Sequence, residues 1–302
     1  MAAEPAPADY FGFDGAFLKR LEQLALLNRR SLIGAQAGPR RSPRRGSSVE
    51  FADFREYSPG DDFRRIDWNT FARLDRLFLR LYRAEEMTTL TVFLDHSRSM
   101  AFGSPSKLLT AARLAAILTY IGLHNDDRVA VAGWGDRVDR YFPARGGTAS
   151  IPLVWRSIAA IAGSPDGPTD FAALQRHARM QMGSGIAVVL SDLMTDTDWQ
   201  AGLQALRGAG QEVNVVQILS PEEIAPGLRG DWKLRDSETG REVEITTSPR
   251  LLKRYHEALD AHLDAVRAFC RRQGIAHLQI SSDIPVDSEA LRALRTARMI
   301  GA

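Results

Sequence analysis

Cysteine is nearly absent from this sequence. Among its 302 residues only Cys270 is a cysteine, so the chain cannot form an intrachain disulfide. A reducing compartment is the default expectation for such a chain. Cys270 follows Phe269 on the apolar side of a predicted helix, which indicates a small core residue rather than a reactive thiol.

Long apolar runs are absent as well. The longest nearly apolar segment, residues 114–123, is about half of the roughly 20 residues that a membrane-spanning helix needs. The start of the chain is acidic and contains prolines, and it lacks the basic region and apolar block of a signal peptide. A cytoplasmic location is therefore expected, without a membrane span and with peripheral membrane attachment left open.

Neither sign of charge dominates. The sequence has 39 basic and 37 acidic residues, a net charge of +2. Proteins that follow nucleic-acid phosphates usually carry a large cationic surplus, so a nucleic-acid partner is not expected. Four arginines within residues 40–45 form the densest basic strip, but no aromatic residues are interleaved with them. They lie in a Gly-, Pro- and Ser-rich stretch, 33–48, which predicts a loop that is either a solvated linker or a docking strip.

Two familiar site motifs are also missing. There is no GxxxxGK[ST] phosphate loop, so the chain is not itself a P-loop ATPase. The six histidines show no spacing typical of metal ligands. These absences direct attention to carboxylates and hydroxyls.

Strands and helices alternate from residue 89 onward. Continuously apolar strands predict a doubly wound, mostly parallel sheet with helices on both faces, that is, an α/β fold. Strands are predicted at 89–95, 128–134, 138–142, 185–192, 212–219 and 275–281, a hairpin within 232–245, and helices at 105–125, 151–161, 169–181, 199–206, 250–272 and 288–299.

The predicted domain organisation has three parts. Residues 1–12 are expected to form a disordered tail, and residues 13–85 an N-terminal extension that contains an amphipathic helix over 14–30 and the basic loop. Residues 86–302 are predicted to form the α/β domain, with a β-hairpin inserted at 221–249.

The stretch after the first strand carries the most chemistry. Asp95 ends the strand, and Ser97 and Ser99 follow it at alternate positions. In open α/β sheets, ligands bind outside the carboxyl ends of the strands. We therefore expect a binding site at this edge of the sheet.

Two further loops are predicted to converge on the same edge. Thr169 and Asp170 precede a helix, and Asp192, preceded by Ser191, ends another apolar strand. Together with Asp95 and its two serines, these loops offer hard oxygen ligands, which suit Mg²⁺, Mn²⁺ or Ca²⁺ rather than zinc. Because Mg²⁺ prefers octahedral coordination, this set leaves a position for an outside ligand such as a partner's Asp or Glu.

A simpler role is open for the same residues. Asp, Ser and Thr are common helix N-caps, and both loops precede predicted helices. On that interpretation the only role of these side chains is to cap the N-termini of the following helices. The residues concerned are Asp95, Ser97, Ser99 and Thr169.

Residues 49–83 form a second dense segment, in which charges alternate with aromatics. Its arginines and aspartates could form bidentate pairs that fix a shape, and residues 77–83 predict an edge strand. The segment is either a structural clasp on the sheet edge or a recognition surface. The candidate partner-binding residues are Arg55, Asp61, Arg64, Asp67, Trp68 and Arg73.

The motifs together carry a family resemblance. The Asp95-x-Ser97-x-Ser99 pattern with the Thr169 and Asp192 loops resembles the metal-ion-dependent adhesion site (MIDAS) of von Willebrand factor A-like domains. The segment 50–73 (Arg55-x-Tyr57-x-x-Gly60-Asp61-x-x-Arg64-x-Ile66-Asp67-Trp68) is similar to the bacterial domain-of-unknown-function family fifty-eight. So is the late hairpin, Asp236-x-Glu238-Thr239-Gly240.

The resemblance implies a function. Such proteins are commonly encoded beside MoxR-type AAA+ ATPases and are thought to act with them as chaperone-like adaptors in assembling or activating other proteins. It implies a metal site at Asp95, Ser97, Ser99, Thr169 and Asp192, with Mg²⁺ first and Mn²⁺ or Ca²⁺ as alternatives. It also implies an unknown client that binds through an acidic residue.

Two details depart from the family pattern or leave a choice open. The third loop reads Ser191-Asp192-Leu193, where the family usually has Thr-Asp-Gly. Thr148 competes with Thr169 as the second-loop ligand, and Thr169 is preferred because its helix leads directly into the Asp192 strand.

An enzyme is the alternative class. A metal-dependent hydrolase, either phosphatase or nuclease, could use the same carboxylates. However, a haloacid-dehalogenase-type phosphatase needs an aspartate where Ser97 stands, and a two-metal nuclease needs more clustered carboxylates than Asp95, Asp170 and Asp192. A binding module rather than an enzyme is expected.

Overall fold

The computed structural model describes residues 11–27, 50–57, 66–74, 76–83, 88–181 and 183–301. They form two compact units, one of residues 11–27 with 88–301 and the other within residues 50–83. The helices and strands are, in chain order, α1 (Gly15–Leu21), β1 (Ala25–Leu26), β2 (Glu50–Glu56), α2 (Trp68–Leu74), β3 (Phe78–Arg83), β4 (Thr89–Asp95), α3 (Lys107–His124), β5 (Arg128–Trp134), β6 (Val138–Arg145), α4 (Ile151–Ala162), α5 (Phe171–Gln181), β7 (Gly185–Ser191), α6 (Trp199–Gly208), β8 (Gln211–Leu219), α7 (Pro221–Ile224), β9 (Asp231–Arg235), β10 (Glu242–Thr246), α8 (Pro249–Gln273), β11 (Ala276–Ser281), α9 (Leu291–Thr296) and β12 (Ile300–Gly301).

The larger unit is built on a six-stranded sheet. Its strand order is β11-β8-β7-β4-β5-β6, and five of the strands run parallel while β6 pairs antiparallel with β5. The central strands β4 and β7 are buried along nearly their whole length, which explains their continuous apolar sequence. The predicted mostly parallel α/β fold is confirmed.

Helices cover both faces of this sheet. Leu90, Val92 and Leu94 of β4 join one core cluster with residues of α1, α3, α4 and α9. Phe93, between them, joins a second cluster with residues of α5, α6 and α8. Because successive side chains of a strand point to opposite faces, the two clusters lie on opposite sides of the sheet. Helix α3 is apolar nearly all round because it is buried nearly all round.

Cys270 belongs to the second cluster. Burial raises the pKa of its thiol to about 11. We predict that the native protein reacts with a disulfide-exchange reagent at pH 8 roughly 100-fold more slowly than the chain unfolded in guanidinium chloride, because the thiolate is the reactive form. Absorbance of the released thiol would measure both rates, and equal rates would contradict a buried thiol.

The N-terminal predictions need correction. Helix α1 ends at Leu21 rather than near residue 30, and β1 pairs antiparallel with β12, at the other end of the chain. Phe11, predicted to lie in a disordered tail, is buried with its ring 5.8 Å from that of Trp155. Residues 11–27 thus belong with the larger unit and not with a separate extension. Residues 1–10 and the basic loop 33–48 lie outside the described residues.

The C-terminal helix is also shorter than predicted. A π-helical turn, Val286–Ala290, precedes α9, which ends at Thr296. The chain then turns into β12, so Met299, the last residue of the predicted helix, is buried in a bend directly before that strand. In both terminal regions tertiary pairing overrides the local periodicity.

The smaller unit contains α2 and a two-stranded antiparallel sheet. β3 is the strand predicted at 77–83, and it pairs with β2 with a register shift between Phe51 and Asp53. Helix α2 was not predicted; the carboxylate of Asp67 accepts hydrogen bonds from the backbone N–H (3.4 Å) and hydroxyl (3.0 Å) of Thr70, which fixes its first turn.

Within the residues described, no helix has both the length and the apolar character needed to cross a bilayer.

Candidate metal centre

Three loops meet at the carboxyl edge of the central sheet. Asp95 ends β4, and Asp192 follows β7, which is the parallel neighbour of β4. Thr169 stands two residues before α5. The sequence-predicted convergence of these three loops is therefore observed.

Asp95 lies at the centre of the hydrogen bonds that join the loops. Its Oδ1 accepts the backbone N–H of Ser97 at 3.0 Å, and its Oδ2 accepts the hydroxyls of Thr169 at 3.1 Å and Ser191 at 2.6 Å. All four residues are buried. The sequence marks Ser191 only as the residue before Asp192, yet it makes the shortest of these bonds.

The two loop serines are adjacent to each other. The hydroxyl oxygens of Ser97 and Ser99 are 3.1 Å apart. Ser97 precedes a 3₁₀ turn, Arg98–Ala101, but its side chain makes no capping hydrogen bond. The N-terminus of α3 is capped by Ser106 instead, whose hydroxyl accepts the N–H of Leu109. A pure capping role for the loop serines is not supported.

The capping role also fails for Thr169. The side chain of Asp170 accepts the N–H of Ala172 at 2.8 Å in the first turn of α5, while the hydroxyl of Thr169 bonds Asp95. Thr148, the alternative second-loop residue, is exposed and lies shortly after the end of β6. The last residue of β6, Arg145, pairs with Val129 near the start of β5, so this loop lies at the opposite edge of the sheet. The geometry thus brings Thr169, not Thr148, to the candidate site.

Asp192 is held differently. Its Oδ1 accepts the backbone N–H of Met194 at 2.9 Å, and its Oδ2 accepts the ammonium group of Lys107 at 2.6 Å. Lys107 is completely buried at the start of α3 and also donates to Glu223 at 2.5 Å. Sequence reasoning missed this lysine. The available signal was a single lysine at the start of a helix that is apolar nearly all round, since a buried ammonium requires acidic partners.

Electrostatics in the site reflect this crowding of carboxylates. Burial, followed by the charge of Asp192, raises the pKa of Asp95 to about 7, although hydrogen bonds from Ser191 and Ser97 oppose the change. Burial lowers the pKa of Lys107, but the charges of Asp192 and Glu223 outweigh it, and the pKa is raised overall. The lysine is therefore a fixed positive charge, and it neutralises only part of the acidic group around it.

The departure in the third loop has a structural counterpart. Leu193 stands where the family pattern has glycine, and its φ is +59°, in the left-handed region that glycine adopts without strain. Its side chain is fully buried in the second core cluster, and its N–H donates to the hydroxyl of Ser191 at 3.1 Å. This burial offsets a backbone cost of about 1 kcal/mol, and Asp192 keeps its position at the sheet edge.

The chemistry of the donors fits a hard divalent cation. No three histidine, cysteine, aspartate or glutamate side chains are grouped to hold a metal ion among the described residues, so such a site must depend on hydroxyl groups. The hydroxyls of Ser97, Ser99 and Thr169 are of the required type, and Mg²⁺ keeps several waters that carboxylates such as Asp95 and Asp192 can accept from. Bound there, the ion would neutralise the acidic group and attract a further carboxylate.

The candidate partner-binding residues lie in the smaller unit. Trp68 is 60% exposed, with its ring centroid 6.2 Å from that of Phe71, and Arg73 is also exposed. Asp67 is buried and fixes the start of α2, which is a structural role. Asp61, Arg64 and the side chain of Arg55 lie outside the described residues.

The fold and the site define a class of protein, a doubly wound α/β domain with oxygen side chains gathered at the carboxyl edge of its sheet. The model of the family described as "Protein of unknown function DUF58" matches residues 53–266, more than half of the chain. The chain belongs to this family, as the sequence motifs predicted.

The chain is also similar to several mycobacterial proteins and, more distantly, to solved structures. The uncharacterized proteins Rv1480 of Mycobacterium tuberculosis and Mb1516 of Mycobacterium bovis are each 30% identical over 268 residues, which cover 87% of this chain and 84% of the relative. The structure of an aerotolerance-related membrane protein from Bacteroides fragilis is 20% identical with a TM-score of 0.43. The structure of BatB from Bacteroides thetaiotaomicron is 15% identical with a TM-score of 0.41. Each of the two matches covers 70% of this chain and 98% of the solved chain. None of these descriptions names a catalytic activity.

Proposed function

We propose that the protein is a metal-dependent protein-interaction module that works as an adaptor with a MoxR-type AAA+ ATPase on a client protein. The observation that carries the proposal is the meeting of the Ser97, Ser99 and Thr169 hydroxyls with Asp95 and Asp192 at one sheet edge. Ser97, Ser99 and Thr169 would hold the ion, and Asp95 and Asp192 would accept hydrogen bonds from its waters. An acidic side chain of the partner would complete the shell.

A binding role is favoured over hydrolysis by how the carboxylates are used. Asp95 already accepts three hydrogen bonds, so it is poorly suited as a nucleophile. Asp192 is engaged by Lys107. His96, the nearest imidazole in sequence, is buried with its Nε2 3.2 Å from Asp139, outside the set of oxygen ligands. His96 is therefore not placed to act as a general base beside the hydroxyls.

The proposed partnership is testable with purified components. Immobilised protein is expected to retain a MoxR-type ATPase from the same organism in the presence of Mg²⁺. When the chelator EDTA removes the ion, about 90% of the retained ATPase should be released, because the ion bridges the two proteins. Surface plasmon resonance would measure the retained fraction. Equal retention with and without chelator would argue against the metal bridge, and no retention under either condition would argue against this partner.

A further inference from the structure

The inserted hairpin reaches the candidate metal site with its tip. The turn between β9 and β10 is fixed by Asp236, whose Oδ1 accepts the N–H groups of Glu238 at 2.9 Å and Thr239 at 2.6 Å. Gly240 completes the turn with a φ of +71°, which glycine adopts without strain. One surface cavity is lined by this turn and by Arg98, the residue between the two site serines. The tip is therefore both rigidly shaped and adjacent to the Asp95 loop.

Glu238 is the residue of this tip that faces the site. Its Oε1 is buried and has no hydrogen-bond partner among the described residues. Burial raises the pKa of the Glu238 carboxyl, and so do the charges of Asp192 and Asp236, whereas the hydroxyl of Ser99 and the N–H of Thr169 lower it. Three of these groups, those of Ser99, Thr169 and Asp192, are members of the candidate metal site, although they lie far from Glu238 in sequence.

An unpaired buried carboxylate oxygen needs a physical explanation. A buried acceptor without a partner costs about 1–3 kcal/mol, and more when it is charged. Here the neighbouring carboxylates repel the charge of Glu238. Lys107 does not compensate for it, because its ammonium group is already shared by Asp192 and Glu223. A cation held by the serine and threonine hydroxyls would supply the missing partner.

We propose that Glu238 is an intramolecular ligand of the metal site and occupies the coordination position that a partner's carboxylate would take. This inference rests on the proposed function, because it assumes that the hydroxyl site binds a divalent ion. The hairpin is then a built-in competitor: a partner with an acidic side chain must displace Glu238 to reach the ion.

The construction of the hairpin suits such a displacement. All residues of β9 and all but Ile245 of β10 are exposed, so little apolar surface holds the hairpin against the rest of the unit. Its internal contacts keep the hairpin itself intact, among them the 2.7 Å ion pair of Lys233 with Glu242 and the 2.7 Å bond from Thr246 to Asp231. The hairpin can therefore move as one piece while the metal ligands stay on the rigid sheet edge.

The test uses Mn²⁺ as the probe and two matched variants of the full chain. Glu238→Gln removes the candidate ligand, and Glu244→Gln makes the same charge change on an exposed position of the same hairpin. In Glu238→Gln we expect the Mn²⁺ affinity to fall about 10-fold, and the bound ion to gain about one exchangeable water. Titration calorimetry measures the affinity, and water-proton relaxation measures the hydration of the bound ion. Acetate, a stand-in for a partner carboxylate, is expected to displace that water in Glu238→Gln and to have little effect in the wild-type protein.

The outcomes separate the two proposals. Wild-type affinity and hydration in Glu238→Gln would overturn the intramolecular ligand while leaving the metal site standing. Equal losses in Glu238→Gln and Glu244→Gln would also overturn it, because they would indicate a general charge effect. Absence of Mn²⁺ binding by the wild-type protein would remove the proposed function itself, and this inference with it.

Discussion

Asp95→Asn is expected to abolish metal binding without unfolding the protein. A ligand present at 100 times its dissociation constant stabilises a fold by about 2.7 kcal/mol. This corresponds to a rise in Tm of roughly 5–10 °C for a domain of this size. The wild-type protein should show this rise with Mg²⁺ or Mn²⁺, and the variant should show none, because the carboxylate at the centre of the three loops has lost its charge. Differential scanning calorimetry with and without the ion would measure it.

The metal-free variant provides the control for folding. The pKa of Asp95 is raised in the folded protein to about 7, from an ordinary value of 3.8, so above pH 7 the ionised carboxylate costs stability. A neutral asparagine avoids that cost, and metal-free Asp95→Asn should be at least as stable at pH 8 as metal-free wild type. Asp260→Asn, an exposed change on α8, should keep the full metal-induced rise. A wild-type rise retained in Asp95→Asn would contradict the site.

Lys107→Met is expected to cause the largest loss of stability. The substitution leaves the carboxylates of Asp192 and Glu223 without their shared cation, and Asp192 is completely buried. Removing one partner of a buried ion pair costs about 3–5 kcal/mol. The corresponding decrease in Tm is about 10 °C in metal-free protein. Circular dichroism melting curves at neutral pH would measure it.

Two further variants show whether the loss is electrostatic. Lys253→Met removes an exposed lysine, with 78% of its side chain accessible, and should change the free energy of unfolding by less than about 0.5 kcal/mol. Adding Asp192→Asn to Lys107→Met should recover part of the lost stability, because one unpaired buried charge is then removed. A Tm of Lys107→Met within about 2 °C of the wild type would contradict the role of this lysine as the site's internal cation.

Much of the site could be predicted because its pattern is local. Asp95, Ser97 and Ser99 stand within five residues at the end of one strand, and Asp192 follows a second apolar strand. Parallel strands in a doubly wound sheet end at the same edge, so identifying the strands sufficed to bring these residues together. Choosing Thr169 over Thr148 needed the order of the elements, and the antiparallel course of β6 gives the physical reason.

The groups that complete the charge balance could not be predicted in the same way. Lys107 meets Asp192 across 85 positions of sequence and Glu223 across 116. In the sequence Glu238 belongs only to a hairpin motif, and the folded hairpin brings it to Ser99 and Thr169 from far along the chain. Their partners follow from how α3, α7 and the hairpin pack at the sheet edge, and no local periodicity contains that information.

The two terminal segments also show where local sequence patterns were not sufficient to predict the structure. The helical spacing of apolar residues after Leu21 and after Thr296 indicated longer helices, yet both segments turn into the β1–β12 pair. By itself, the sequence determined the elements whose periodicity is satisfied locally, the parallel sheet they form and the oxygen-bearing side chains at its edge. Tertiary structure alone decided which buried charges meet and where the helices stop, because those depend on contacts between residues that are distant in the chain and adjacent only after folding.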